Sequence, residues 1–373
     1  MKTLNNPFLI SGYHSPLYFC NRAAETEKMM GALLNDRNIT LISPRRIGKT
    51  GLIHHTFDTA KKRLPTTLYI DIFSTSNLND FTRVFAESVL GSLDSDIKRL
   101  VTKIGKIAKN CRPTMRFDPI TGNPEFSIEI DSGKEEATLK DTFAYLANSE
   151  KPCVIAIDEF QQIAEYPEKG VEALLRSYIQ FVPNIRFIFA GSKQHLMQDL
   201  FLSAKRPFYQ STQLMTIDVI DKQEYYIFAN NFFKENKRII SRHIFDELYG
   251  LFKGYTWYLQ AVLNRLYGFD KDIDSVEQLY WAIDNLITEY EYSYQNLLYA
   301  YTPTAVKLMK AIAKEKYVKE INSGNFISKH NLKAASSVNT ALKKLLKNEA
   351  VYKSEQGYMI YDQFMSIWLS RQL

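Results

Sequence analysis

Four side chains have the types and spacing for chemistry on a phosphate ester: Lys49 and Thr50 directly behind Gly48, and, far downstream, the adjacent acids Asp158 and Glu159. The first pair closes the run Asn38-Ile-Thr-Leu-Ile-Ser-Pro-Arg-Arg-Ile-Gly-Lys-Thr-Gly51. Its apolar, β-branched part, Ile39 to Ile42, reads as a strand that ends in a Ser-Pro turn, and Leu52, Ile53, Phe57 and Ala60 then recur at helical spacing. A strand, a tight loop and a helix in that order make a phosphate-binding loop. Ser43, Pro44, Arg45, Arg46, Ile47, Gly48, Lys49, Thr50 and Gly51 would line the cradle, with backbone N–H groups and the positive end of the helix dipole facing phosphate oxygens. Lys49 would reach the β- and γ-phosphates, and the Thr50 hydroxyl would ligate Mg²⁺. The GxxxxGK[ST] pattern starts on glycine, and Ser43 stands in that place, with less backbone freedom for the turn.

The second pair has its own element. Cys153-Val-Ile-Ala-Ile157 is a short buried strand by composition, and it delivers Asp158 and Glu159 at its carboxyl end. Asp158 would hold Mg²⁺ through its water shell, and Glu159 would polarise an attacking water. ATP and Mg²⁺ are therefore the expected cofactors. A further strand, Arg186 to Gly191, ends in Ser192 and Lys193. Ser192 there suits two roles, a sensor of the γ-phosphate or the N-cap of a helix over 193–201. The adjacent His54 and His55 have no metal-ligand spacing and read as solvated or core residues.

These elements sit in a chain of 373 residues, enough for two or three domains. A composition of 45% hydrophobic and 24% charged residues describes a globular protein and excludes disorder. No apolar run approaches the roughly 18–20 residues of a membrane span, so no membrane partner is expected. The first residues lack the apolar stretch of a signal peptide. Cys20, Cys111 and Cys153 are widely separated, which suits reduced thiols and a cytoplasmic location. The net charge of +6 is uneven: from Thr302 onward there are 12 Lys and Arg against 5 Asp and Glu, while the preceding residues are close to neutral.

Along the chain, helices are expected over 23–34, 79–93, 139–146 and 170–182, and strands over 67–73 and 213–218. The alternation breaks over 96–137, where a basic amphipathic stretch, 98–109, precedes a hairpin insertion at about 112–131 around Thr-Gly-Asn. The core domain so defined covers 1–218. Residues 219–301 read as a helical lid whose aromatic cluster (Trp257, Tyr258, Tyr267, Tyr280, Trp281, Tyr290, Tyr292, Tyr294) suits a core. Residues 302–373 pattern as a winged helix: helices near 303–315 and 328–334, a third capped by Ser336 or Ser337, and a hairpin wing over Val351–Tyr361 turning at Gln-Gly. On the third helix, Ser337, Asn339, Thr340, Lys343 and Lys344 are the candidates for a DNA groove.

Phe19-Cys-Asn-Arg22-x-x-Glu25, Pro44-Arg-Arg-Ile-Gly-Lys-Thr50, Ile157-Asp-Glu-Phe-Gln161 and Ala190-Gly-Ser192 together resemble the AAA+ and STAND group of P-loop ATPases, and more narrowly the prokaryotic archaeal-type ATPase family. The resemblance covers roughly residues 15–270, with an echo in Tyr361-Asp-Gln-Phe-x-x-x-Trp-Leu369. It implies an α/β fold, a P-loop NTPase αβα sandwich on a parallel sheet of order 5-1-4-3-2, with the nucleotide at the carboxyl edge and Asn21 and Arg22 beside it. It also implies that Arg206 can reach a neighbouring subunit's γ-phosphate as an arginine finger. Thr256 replaces the proline of the lid's Gly-x-Pro motif. The expected function is an ATP-hydrolysing switch that couples Mg-ATP to the winged helix. The alternative is a DNA-binding regulator or interaction scaffold whose nucleotide is structural. Duplex DNA through 302–373 and a protein are both open as partners, and homo-oligomerisation is undecided.

Overall fold

The computed structural model describes residues 4–64, 66–93, 111–117, 124–148 and 152–372. The basic stretch 98–109 and the Thr-Gly-Asn turn of the hairpin lie outside the described residues. Two compact units divide the chain: Ser11–Ile220, and the described part of Met1–Ile10 together with Asp221–Leu373.

The first unit is built on five parallel strands, β1 (Ile39–Ile42), β2 (Thr66–Asp71), β5 (Cys153–Asp158), β6 (Ile185–Gly191) and β7 (Gln213–Thr216). Their order is β2-β5-β6-β1-β7, which is 5-1-4-3-2 once the separate hairpin is set aside. β1 and β5 are buried along their whole length, as their unbroken apolar runs require for strands covered on both faces. The helices are α1 (Ala23–Leu34), α2 (Lys49–Ala60), α3 (Leu78–Leu93), α4 (Glu135–Ala147), α5 (Val171–Ile179) and α6 (Gln194–Leu202). Phe160, directly after the acidic pair, is fully buried against Phe189 of β6, ring centroids 4.5 Å apart, and against Phe201 and Phe208. That anchor fixes the backbone from which Asp158 and Glu159 project.

The expected hairpin is present as antiparallel β3 (Cys111–Phe117) and β4 (Pro124–Ile130). It is seated on α3: Cys111 and Ile128 pack with Ala86 and Leu90, and Glu87 accepts bonds from Ser127 Oγ (2.7 Å) and Ile128 N (2.9 Å).

The second unit contains α7 (Lys222–Glu235), α8 (Arg242–Leu251), α9 (Thr256–Tyr267) and the long α10 (Val276–Tyr299). Residues 4–10 belong to this unit, a correction to the expected core domain of 1–218. Phe8 is fully buried against Phe232, Phe233 and Tyr267, the Asn264 side-chain amide donates to the Phe8 carbonyl (2.7 Å), and Trp257 Nε1 donates to Ile10 O (2.9 Å). An extended arm held by one aromatic anchor leaves no periodicity to read. The aromatic cluster is also only partly core. Tyr258 and Tyr294 are buried, but Trp281 is 52% and Tyr292 76% exposed, because α10 turns only one face inward.

The remaining elements are α11 (Pro303–Glu315), α12 (Gly324–Lys329), α13 (Ala335–Lys347), β8 (Val351–Ser354), β9 (Gly357–Ile360) and α14 (Gln363–Arg371). α12 starts earlier than the expected 328–334 because Ser323 caps it, accepting from Phe326 N at 3.3 Å. Ser336 and Ser337 are not caps either, since Ala334 occupies the N-cap of α13. The wing turns on Glu355-Gln356. Gly357 (φ 133°) is needed there because a Cβ would come within 2.5 Å of the carbonyl of Val318, which pairs with Tyr358. Among the described residues no helix is long and apolar enough to cross a membrane.

Candidate nucleotide site

The loop after β1 forms the floor. Its left-handed positions fall on Arg46 (φ 66°) and Gly48 (φ 98°), so Ser43 occupies a position that does not need glycine. Ser43 is buried and its N–H donates to the carbonyl of Gly191 on β6 (3.4 Å). Arg22, 3% exposed, braces the loop from outside: Nη2 donates to Ile47 O (3.1 Å) and Nη1 pairs with Glu25 (2.7 Å). Asn21 adopts a left-handed backbone, φ 51°, and its Oδ1 accepts from Ala23 N (3.4 Å). Gly51 lies under the Phe19 ring, where a Cβ would stand 3.2 Å from Cε2, and that ring stacks on His55 at 4.2 Å.

Lys49, Thr50 and Asp158 converge as the sequence implies. Lys49 Nζ pairs with Asp158 Oδ1, and Thr50 Oγ1 donates to Oδ2 at 2.8 Å. Both Lys49 (7% exposed) and Asp158 (3%) are buried. Burial pushes the Asp158 carboxyl up, but the Lys49 charge and bonds from Lys49, Tyr69 and Thr50 outweigh it and hold the group below the usual carboxylate range. Thr50 Oγ1 and Asp158 Oδ2 are two hard oxygens side by side, a donor set that fits Mg²⁺, which takes one or two carboxylates, waters and substrate phosphates. Among the described residues no group of three or more His, Cys, Asp or Glu competes as a metal site.

Tyr69 is the member sequence reasoning missed. Its hydroxyl donates to Asp158 Oδ2 at 2.7 Å. β2 pairs with β5 so that Tyr69 lies opposite Ala156 and Asp71 opposite Asp158, placing Tyr69 diagonally beside the acid. In a strand of apolar and β-branched residues a tyrosine reads only as a good strand former, so no signal marked it. Tyr69→Phe is expected to leave folding nearly intact and to raise the Mg²⁺ concentration giving half-maximal nucleotide binding by roughly 10–100-fold, as the loss of one hydrogen bond to a charged group would. Mg²⁺ titration of a fluorescent ATP analogue checks this.

Glu159 follows in a left-handed conformation (φ 56°) that turns its carboxylate across the sheet edge. Its Oε2 accepts from Ser192 Oγ (2.8 Å) and from the Gln161 amide, while Oε1 is 3.8 Å from Lys49 Nζ. Ser192 in turn accepts from Arg45 Nε at 3.1 Å, so the loop, the serine and the acid form one chain of hydrogen bonds. Ser192 does not cap the next helix, whose N-cap is Lys193. Gly191 has no room for a side chain: a Cβ would meet Gln161 Oε1 at 2.4 Å and Met197 Sδ at 2.5 Å. Arg206 is held within its own chain by Glu172 (2.7 Å) and by Asp199, so reaching a neighbouring phosphate would require breaking both ion pairs.

His54 and His55 line the flank of α2, His54 against Tyr69 (4.5 Å) and His55 beneath Phe19. Burial lowers both imidazoles below their ordinary value, with Asp158 and Asp58 opposing in turn. The unfolded chain protonates them near pH 6.5. Their neutral packing therefore contributes fully above that pH and is lost as pH falls through the folded values. A falling melting temperature between pH 7 and 5, with a shallower slope in His54→Gln/His55→Gln, is the expected result.

The profile of an ATPase domain found predominantly in Archaea matches residues 19–262, and that of a probable winged helix domain matches residues 292–371. None of the curated proteins matches the chain. Among solved structures, the Walker-type ATPase of Pyrococcus abyssi is similar at TM-score 0.65 and 17% identity, covering 97% of this chain and 99% of that one. The ORC2 protein of Aeropyrum pernix, solved as ADPNP-ADP complexes, is similar at 0.58 and 16% identity, covering 97% and 95%. The ORC1 protein of Aeropyrum pernix, solved in complex with DNA, is similar at 0.57 and 11%, covering 98% and 96%. At these identities the likeness is one of fold.

Proposed function

The chain belongs to the family of ATPase domains found predominantly in Archaea, and from that premise we propose that it binds ATP with Mg²⁺, hydrolyses it, and uses the two states as a switch read out by its winged helix. The observation that carries this reading is the convergence of Lys49 and Thr50 on the buried Asp158, with Glu159 next in the chain. Thr50 and Asp158 would hold the Mg²⁺. When bound, the ion supplies positive charge between the β- and γ-phosphates. Lys49 would exchange Asp158 for phosphate oxygens, one anion replacing another, and Mg²⁺ would take its place as the positive charge beside Asp158. Glu159 would orient and polarise the attacking water from the carboxyl end of β5. Ser192, bonded both to Glu159 and to Arg45 of the loop, would relay phosphate occupancy to the acid.

For the winged helix we propose duplex DNA as the partner. Asn339, Thr340, Lys343 and Lys347 are exposed along α13, and the excess of Lys and Arg beyond Thr302 supports phosphate contact. Ser337 is half-buried, and Lys344 is turned back onto the Ala300 carbonyl at 3.4 Å, so neither is a simple groove contact. Steady-state phosphate release with and without blunt duplex tests both parts. Mg²⁺-dependent release altered by DNA is expected. A chain that binds ATP and turns over no phosphate in either condition would favour a structural nucleotide.

A further inference from the structure

We infer that one face of α10, carrying Tyr292, Gln295, Asn296 and Tyr299, is a stacking platform for the unpaired bases of single-stranded DNA. Tyr299 is 86% and Tyr292 76% exposed, and Gln295 and Asn296 between them are exposed as well. The rotation of the helix is fixed by Tyr294, buried against Trp368 with ring centroids 5.5 Å apart, and by Glu291, which accepts from Trp368 Nε1 at 3.1 Å. With Tyr294 inward, positions 292 and 299 must point to solvent. They are two turns apart, about 10 Å along the axis, with two side-chain amides between the rings.

Two things select the occupant. The segment Tyr292–Tyr301 contains no charged residue, so no carboxylate on it would repel a phosphate. The platform also runs directly into the basic helix: Lys344 of α13 donates to the Ala300 carbonyl at 3.4 Å and lies over the Tyr301 ring at 5.7 Å, while Lys343 and Lys347 are exposed on the same helix. Exposed aromatic rings beside a line of lysines suit a single strand, whose bases offer π-faces and whose backbone offers charge. Bases stacked inside a duplex expose no face for such rings. The inference rests on the reading of α13 as a DNA-binding element, and it adds that a junction between duplex and single strand is a better ligand than either alone.

The test is fluorescence anisotropy on the full chain with three probes: an oligo-dT, a blunt duplex, and the same duplex carrying a dT tail. Tyr292→Ala/Tyr299→Ala is expected to weaken oligo-dT and the tailed duplex by about tenfold or more while moving the blunt duplex less than about twofold. Tyr292→Phe/Tyr299→Phe keeps the rings and is expected to bind as the parent does. Lys343→Ala/Lys347→Ala should weaken all three probes and flatten their salt dependence. Unchanged oligo-dT binding by the double alanine variant, with duplex binding intact, overturns the platform and leaves the duplex reading standing. Oligo-dT bound by the parent and lost in that variant, with no duplex binding by either, upholds the platform and overturns the duplex reading. A parent chain that sediments as a dimer, made monomeric by the same substitutions and binding no oligo-dT, would show the face to be a protein interface and overturn the inference.

Discussion

Glu159→Gln is expected to bind ATP at least as tightly as the parent chain and to release phosphate 10²–10⁴-fold more slowly, the order of magnitude a positioned general base contributes. The amide is nearly isosteric with the carboxylate, and its oxygen can still accept from Ser192 and Gln161, which both bond Oε2 in the parent. The left-handed backbone at 159 is set by its neighbours, with Asp158 held by four donors and Phe160 buried, so the side chain should project as before. What disappears is the negative charge that would polarise water. Removing it also removes a repulsion against the γ-phosphate, hence binding that is undiminished. Calorimetry gives the affinity and phosphate release the rate. A variant that turns over within a few-fold of the parent would exclude Glu159 as the water-positioning group and point to another acid at the edge, such as Asp71. That carboxyl is pushed up by burial and lies beside Asp158 in the strand register.

The parts of this site that were legible in the sequence are those whose chemistry is local. Gly48-Lys49-Thr50 announces itself because a loop must open a helix there, and Asp158-Glu159 because a fully apolar strand has to end at a polar edge. The sheet order followed from the family resemblance, and it was met in full. Contacts made between distant elements left no trace. Tyr69 reaches Asp158 only because β2 is paired with β5, and Arg22 reaches the Ile47 carbonyl only because the turn into α1 places it there in a left-handed conformation. Phe8 shows the same limit at larger scale, since an arm that docks through one ring onto α7 and α9 has no period of its own. The cap of α12 was missed for a different reason. Ser323-Gly324 is an ordinary start signal, but the helix it opens spans only Gly324–Lys329, too short for an apolar period to mark it.

Lys49→Ala should abolish nucleotide binding, and the structure adds a second effect that must be separated from the first. In the unliganded site Lys49 is the counter-ion of a carboxylate that is 3% exposed. Removing one partner of a buried ion pair typically costs about 3–5 kcal/mol, because the other charge stays behind. Thr50, Tyr69 and the Glu159 N–H still donate to Asp158, so the carboxylate is solvated in part but no longer neutralised. Burial, the largest influence on this group, is then opposed by hydrogen bonds alone, and its pKa should rise from the low position it holds in the parent. The pH dependence becomes shallower with it. In the parent, the stabilisation from ionised Asp158 is present above the unfolded value near 3.8 and is lost as pH falls through the folded one. In Lys49→Ala that contribution is smaller, so less stability is lost as pH falls through the same range. The variant should therefore be most destabilised at neutral pH, and Lys49→Ala/Asp158→Asn should recover most of the loss. If Lys49 acts on the phosphates, that double variant folds like the parent and still binds ATP about 100-fold or more weakly than Asp158→Asn alone, the scale of removing a buried charge partner. Recovery of tight binding along with stability would mean that Lys49 serves only to neutralise Asp158.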